Sequence, residues 1–260
     1  SASRGEISAS RTTKQGIGAR HPTPRRGGMI GCLLASACAL AGAMIAGPGG
    51  DAGLGVAAVA GTLRDGRSLE FGRSVEGRAL EAVRIGERGA KRRAIVVGEV
   101  HGDESEGREI VRRLRRRYAG IGGVRVWTIV SINPDGHAAG TRKNARGVDL
   151  NRNFSVDWSG AESPSSGYYA GPRPFSEPES RAFARLARRV RPDVTVHYHQ
   201  PWNAVLRPCS GPAPAQRRYA RIARMDTSCR GAGLPGTAVS WQNRKLPGAA
   251  FVVGLAGGGL

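Results

Sequence analysis

Residues Ala94–Glu104 read Ala-Ile-Val-Val-Gly-Glu-Val-His-Gly-Asp-Glu: an apolar run, a tight turn, and an acid where a helix begins. The run from Ala94 to Val100 suits a buried strand. The helix expected after it, from about Glu104 to Tyr118, carries Ile110, Val111, Leu114 and Tyr118 at helical spacing. A strand feeding straight into an amphipathic helix is half of a βαβ unit, and ligands in such sheets bind beyond the carboxyl ends of the strands. The same alternation continues outward. Val124–Ile132 is a second strand candidate, closed by the turn signal Asn133-Pro-Asp-Gly136. A helix is expected from Ser176, with Ser-Glu-Pro-Glu as cap and acidic first turn and with Phe183, Leu186 and Val190 on one face. Further strands are expected at Asp193–His199, Gly236–Gln242 and Ala250–Leu255. The pattern predicts an α/β fold: a mixed, mainly parallel sheet with helices on both faces, in one domain over residues 61–260.

Upstream the texture differs. Residues 1–28 are polar, basic and without period, and read as a disordered extension. Met29 to Ala46 is an uncharged apolar run preceded by Arg25 and Arg26, the layout of a signal peptide or anchor within a leader and linker spanning 29–60. Cleavage would fall after Ala43 or Ala60. The expected location is therefore the cell envelope, periplasm or exterior. The chain's 40 Lys+Arg against 20 Asp+Glu leave a net charge of +20, yet only Lys14, Lys91, Lys143 and Lys245 are lysines. The arginines are scattered among apolar repeats with no basic stripe interleaved with aromatics, so a nucleic-acid partner is not expected. Attraction to an anionic cell wall or membrane surface, or a coding bias toward arginine, accounts for the charge. In an exported domain Cys209 and Cys229 should pair, closing a loop worth on the order of 3 kcal/mol; two buried thiols are the alternative.

The chemistry-bearing residues cluster. His101 and Glu104, three apart across a turn, can converge on one metal ion, although a hydrogen-bonded histidine and a capping carboxylate would look the same. His197 and His199 share one face of a strand because side chains alternate with a period of two. Two histidines and a carboxylate with an open fourth position are a catalytic zinc set. The stretch Thr141–Phe154 is a basic loop in which Asn151 beside Arg152 suits a grip on a carboxylate.

Taken in order, His101-Gly-Asp-Glu104, Asn133-Pro-Asp-Gly136, Arg142, Asp149-Leu-Asn-Arg-Asn-Phe154 and Ser176-Glu-Pro-Glu179 resemble the M14 zinc carboxypeptidases, and within them the bacterial branch with the murein peptide amidases. The resemblance runs from about Gly72 to the C-terminus. It implies a monomeric zinc metallopeptidase acting near a free C-terminal carboxylate, with peptidoglycan peptides among the expected substrates. It implies His101, Glu104 and His199 as Zn²⁺ ligands, with His197 as the alternative third, and Asp149 as the acid that orients His101. Arg142 would stabilise the oxyanion, and Asn151 and Arg152 would hold the substrate carboxylate. The family's general-base glutamate lies on a strand near the C-terminus, where this chain reads Phe251-Val-Val-Gly254-Leu. Glycine cannot accept a proton, so the resemblance also implies impaired hydrolysis, down to a relative that binds carboxylates without cutting. Glu177 and Glu179 read as helix-capping acids rather than as replacements.

Overall fold

The computed structural model describes residues 67–230 and 233–257, so the expected extension and leader lie outside the described residues. Eight strands form one sheet: β1 (Arg67–Arg73), β2 (Ala79–Gly86), β3 (Arg92–Val97), β4 (Val124–Ile129), β5 (Val194–His199), β6 (Trp202–Leu206), β7 (Asp226–Ser228) and β8 (Ala249–Ala256). Their spatial order is β1-β2-β4-β3-β5-β8-β6-β7. The centre, β4-β3-β5-β8, is parallel; β2 joins β4 and β6 joins β8 antiparallel. The helices among the described residues are α1 (Glu106–Arg117), α2 (Pro134–Ala139), α3 (Pro178–Val190), α4 (Pro214–Ala223) and α5 (Ala238–Lys245).

Strand alternation divides the core between the two sheet faces. Ala94, Val96, Val196, Tyr198, Phe251 and Val253 pack with Ile110, Val111 and Leu114 of α1 and Tyr219 and Ala223 of α4. Ile95 and Val97 pack on the opposite face with Phe183 and Leu186 of α3 and Trp241 of α5. The even positions of β5 and the odd positions of β8 therefore face α1 and α4. His197, His199 and Gly254 are left to the α3/α5 face, and Gly254 pairs directly with His199. This placement of three residues on one face sets up the site.

The central strands and the first and third helices form where the periodicity puts them, with boundaries shifted by up to three residues. Three readings are corrected. Gly236–Gln242 is not a strand: Thr237 accepts a hydrogen bond from the backbone N–H of Ser240 (3.1 Å) and caps α5. The buried residues Ala238, Trp241 and Gln242 fall at i, i+3 and i+4, a helical spacing that the β-prone Val239 and Trp241 disguise. Asn133–Gly136 is more than a turn. Asn133 accepts from Gly136 N–H (3.0 Å), Pro134 takes the first helical position, and together they start α2. The third helix also begins later than its cap signal: Glu177 is the N-cap residue, and Ser176 donates to the Glu177 carboxylate (2.7 Å).

Buried contacts then fix the loop that carries the arginines. A short 3-10 turn, Leu150–Arg152, is seated by Phe154, whose ring meets Trp241 at 5.7 Å and Phe183 at 6.1 Å. Asn153 is a fully buried hub: its amide donates to Ala170 O and Ser176 Oγ (both 2.8 Å), and its oxygen accepts from Ser180 Oγ (2.6 Å) and Glu177 N (3.1 Å). Such satisfied buried networks specify one arrangement of backbone, here that of Asp149–Phe154 against α3.

Candidate metal centre

His101 stands just past the end of β3 and Glu104 just before α1, so the turn between them delivers both side chains to the carboxyl edge of the sheet. Gly102 makes the turn possible, because a Cβ there would run into the backbone of Gly136 and His137 in α2. His199, the last residue of the neighbouring β5, completes the group. Its Nδ1 lies 3.2 Å from His101 Nδ1 and 2.7 Å from Glu104 Oε2, while His101 Nδ1 is 2.8 Å from Glu104 Oε1. The three ligand atoms lie within 4.8 Å of one another.

Two nitrogens bound to zinc at ~2.0–2.1 Å in tetrahedral geometry would lie ~3.3–3.4 Å apart, close to the separation of the two imidazoles. Hydrogen bonding supports the same assignment of ring atoms. Asp149, which can only accept, lies 3.1 Å from His101 Nε2, so that nitrogen carries a proton and donates. Nδ1 is left facing Glu104 Oε1, His199 Nδ1 and Arg142 Nη1 (3.2 Å), where a metal ion would take its lone pair. The Asp149 carboxylate behind the imidazole fixes tautomer and ring orientation. The donor set therefore fits zinc.

Electrostatics follow from burial and these bonds. Burial disfavours charge on Glu104 and Asp149, but their bonds to histidine outweigh it, and both carboxyls sit well below the usual range. Burial also opposes charge on His101; its bonds to Asp149 and Glu104 prevail and raise its pKa. At His199 burial prevails and lowers the pKa despite Glu104.

His197 is not part of this group. It lies two residues deeper on the same face, fully buried, with Nε2 2.9 Å from Gln242 Oε1 and its ring edge-on to Phe183 at 5.4 Å. Burial pushes its pKa down to about 4, as for a neutral core histidine.

Around the donors opens a cavity of about 1020 Å³. Arg142 is held by two bonds from Nε and Nη2 to Asp149 Oδ2 (3.1 and 2.7 Å), with Nη1 aimed between His101 and Glu104. Asn151 Oδ1 accepts from Ala238 N–H (3.1 Å), so the amide's NH₂ end is the one available to a ligand. Arg152 also lines the cavity. Two residues without a sequence signal join them. Tyr168 lies in the Ser- and Gly-containing loop after Trp158, and its ring is 5.2 Å from the Arg142 guanidinium and 5.3 Å from that of Arg152. Trp202 stacks on His199, with ring centroids 6.3 Å apart and planes 23° from parallel.

Gly254 has its Cβ direction blocked: a Cβ there would come 2.7 Å from Trp202 Cβ and 3.4 Å from Ala204 O. Glu177 and Glu179 are elsewhere. Both accept from Asn144 Nδ2, and Glu179 also accepts from Val75 N–H (3.0 Å). The carboxylates that do line the cavity, besides Glu104, are Asp157 and Glu162. Asp157 faces Arg244 (3.5 Å) and Glu162 accepts from Ser166 Oγ (2.6 Å).

Cys209 and Cys229 are joined, with Cα atoms 4.8 Å apart, and Cys209 belongs to the cavity wall with Leu206, Arg207 and Pro208. The bridge ties that wall to the segment after β7. Reduction should therefore weaken ligand binding several-fold while leaving the metal donors His101, Glu104 and His199 intact. Peptide titrations and zinc content with and without a thiol reductant would show it. Loss of zinc on reduction would mean that the bridge supports the donors as well.

The geometry has its counterpart in sequence comparison: the profile described as "Zinc carboxypeptidase" matches residues 66–226. The chain belongs to the zinc carboxypeptidase family. This zinc carboxypeptidase relative is 32% identical over 126 residues to murein peptide amidase A of Escherichia coli strain K12, covering 41% of this chain and 48% of that protein. It is 28% identical over 165 residues to carboxypeptidase B of Astacus astacus, covering 51% and 54%. The chain thus spans about half the length of the curated relatives it matches. Among solved structures, the murein-tripeptide amidase of Escherichia coli O157 superposes with TM-score 0.60 at 27% identity, over 74% of this chain and 84% of that one. The carboxypeptidase A of Helicoverpa armigera shares the fold, with TM-score 0.63 at 19% identity over 75% and 60%.

Proposed function

We propose that the chain is a zinc-dependent, metallocarboxypeptidase-like protein that engages peptides through a free C-terminal carboxylate and hydrolyses the adjoining bond slowly. The observation that carries this reading is the convergence of His101, Glu104 and His199 beside two cavity-lining arginines. Zinc held by those three side chains would supply Lewis-acid chemistry, polarising a carbonyl and acidifying water. The residues around it have separate tasks. Asp149 keeps the proton on His101 Nε2 and the lone pair on Nδ1. Arg142 Nη1, directed at the donor group, stands where negative charge would develop on a scissile carbonyl oxygen. The Asn151 NH₂ and the Arg152 guanidinium can hold a carboxylate by charge-assisted hydrogen bonds. Cell-wall peptides enter as the substrate class through the murein peptide amidase relative, and they accord with an exported, monomeric protein. The strong positive charge accords with attraction to an anionic wall or membrane surface; among described residues no helix is long and apolar enough to cross a membrane.

A second reading, a binder that does not cut, is favoured by Gly254. It pairs with His199 on the face of the site, and glycine has no side-chain group to accept a proton. Both readings require the carboxylate clamp. A short peptide with a free C-terminus should bind at least tenfold more tightly than its C-terminal amide, and Arg152→Ala should remove that preference. Isothermal titration decides the point. Equal affinity for acid and amide would overturn the proposal.

A further inference from the structure

Among the described residues two large apolar side chains are conspicuously exposed, Tyr168 at 53% and Trp202 at 47%. Both line the same cavity, Tyr168 beside Arg142 and Arg152 and Trp202 beside His199. Tyr168 is engaged by the two arginine guanidiniums. Trp202 stacks on His199, and about half of it is open to solvent. An aromatic ring left open in a ligand-sized cavity is a binding element by its chemistry, since covering it removes apolar surface from water.

Its seat is built into the sheet. Trp202 opens β6, which pairs antiparallel with β8, and the next ladder partner, Ala204, lies opposite Gly254. The nearest approach to a Cβ at position 254 is the Trp202 Cβ itself, at 2.7 Å, and Trp202 Cα follows at 3.4 Å. Any side chain at 254 would have to displace the first atoms of Trp202, which belong to the strand and cannot swing aside as a flexible tip could. Gln200, two residues earlier, is also tied down: its N–H donates to Glu104 (3.1 Å) and its side-chain oxygen accepts from Glu106 N–H (3.1 Å). Glycine at 254 and a Cβ-bearing residue at 202 are thus two parts of one arrangement.

We propose that Trp202, seated over Gly254, is a specificity-determining residue forming an apolar subsite for the side chain that precedes the terminal residue of a bound peptide. The inference rests on the carboxylate-binding reading above. With the terminal carboxylate on Asn151 and Arg152 and the adjoining carbonyl at the donors, the chain continues past His199, and Trp202 is the surface it meets. The occupant is an apolar or aromatic side chain. The ring offers no hydrogen-bond acceptor, and its indole N–H is its single polar group.

The test uses four peptides with free C-termini, carrying phenylalanine or glycine at the penultimate position and phenylalanine or glycine at the terminal one. Wild type, Trp202→Ala and Trp202→Phe are titrated with each, and zinc content is measured in parallel as a check on the donor group. Wild type should prefer penultimate phenylalanine over glycine by about tenfold. Trp202→Ala should abolish that preference, Trp202→Phe should retain most of it, and all three should hold zinc. A loss in Trp202→Ala that is uniform across the peptides, or that follows the terminal residue, would overturn the subsite while leaving the carboxylate reading intact. So would equal binding of both penultimate residues by wild type. Indifference of wild type to amidation of the C-terminus would instead remove the carboxylate reading, and this inference with it.

Discussion

Replacing His199 with alanine is expected to take the protein from about one bound zinc per chain to none at micromolar metal, whereas His197→Ala should leave the stoichiometry unchanged. The two histidines are two residues apart on one strand face, so sequence spacing treats them alike. Their surroundings do not. His199 Nδ1 closes the triangle with His101 and Glu104, and its ring lies at the strand end beside the cavity. His197 is enclosed between Phe183 and Gln242. Removing His199 leaves two donors that cannot hold the ion against water. Removing His197 deletes a buried ring and strands Gln242 Oε1, so that variant should bind zinc but unfold at a lower temperature. Asp149→Asn makes a graded companion. It keeps the shape but weakens the orientation of His101, and should cost ten- to a hundredfold in zinc affinity. Metal analysis after dialysis against a competing chelator reads all three. Zinc retained by His199→Ala and lost by His197→Ala would shift the donor register by two residues.

The site was legible in sequence where two local rules coincide. A strand followed at once by a helix puts His101 and Glu104 at the edge of the sheet, and period-two alternation aligns His199 with the face they occupy. The arginine loop was legible only through resemblance, because Asn153, Ser176 and Glu177 act through contacts between distant segments. What went unread was set by neighbours of another kind. In α5, Val239 and Trp241 favour a strand, and the Thr237 cap with packing on Phe154 overrides them. β1 and β2 have polar, charge-bearing edges, Arg67–Arg73 and Ala79–Gly86, with a register shift between Glu70 and Gly72 that breaks alternation. Trp202 carried no signal of its own, and nothing local says that a Cβ at Gly254 would come 2.7 Å from the Trp202 Cβ across the β6–β8 pair. That contact alters what a repaired enzyme must contain.

Gly254→Glu alone is therefore expected to gain little peptide turnover, and Gly254→Glu combined with Trp202→Gly to gain roughly 10²-fold or more. A carboxylate at 254 starts on the correct face, in register with His199, so the sheet aims it toward the donors. In the single variant its Cβ meets the Trp202 Cβ, and overpacking of this sort typically costs 1–3 kcal/mol through displaced backbone and off-rotamer side chains. The misplaced group cannot then accept a proton within hydrogen-bonding reach of an attacking water. Trp202→Gly removes the obstructing atom, and only glycine does so, because alanine keeps the Cβ. The double variant should show its gain in kcat while KM for peptides with an apolar penultimate residue rises, since the proposed subsite is gone. Thermal melts distinguish the routes: the single variant should melt lower than the double. A full gain from Gly254→Glu alone would show that Trp202 yields easily, and would undo the coupling of the two positions. Ordinary turnover of ~10 per second by the unmodified chain would mean that another carboxylate handles the proton. Asp157 and Glu162 are then the groups to substitute, because they line the cavity, whereas Glu177 and Glu179 are buried against Asn144 and Val75.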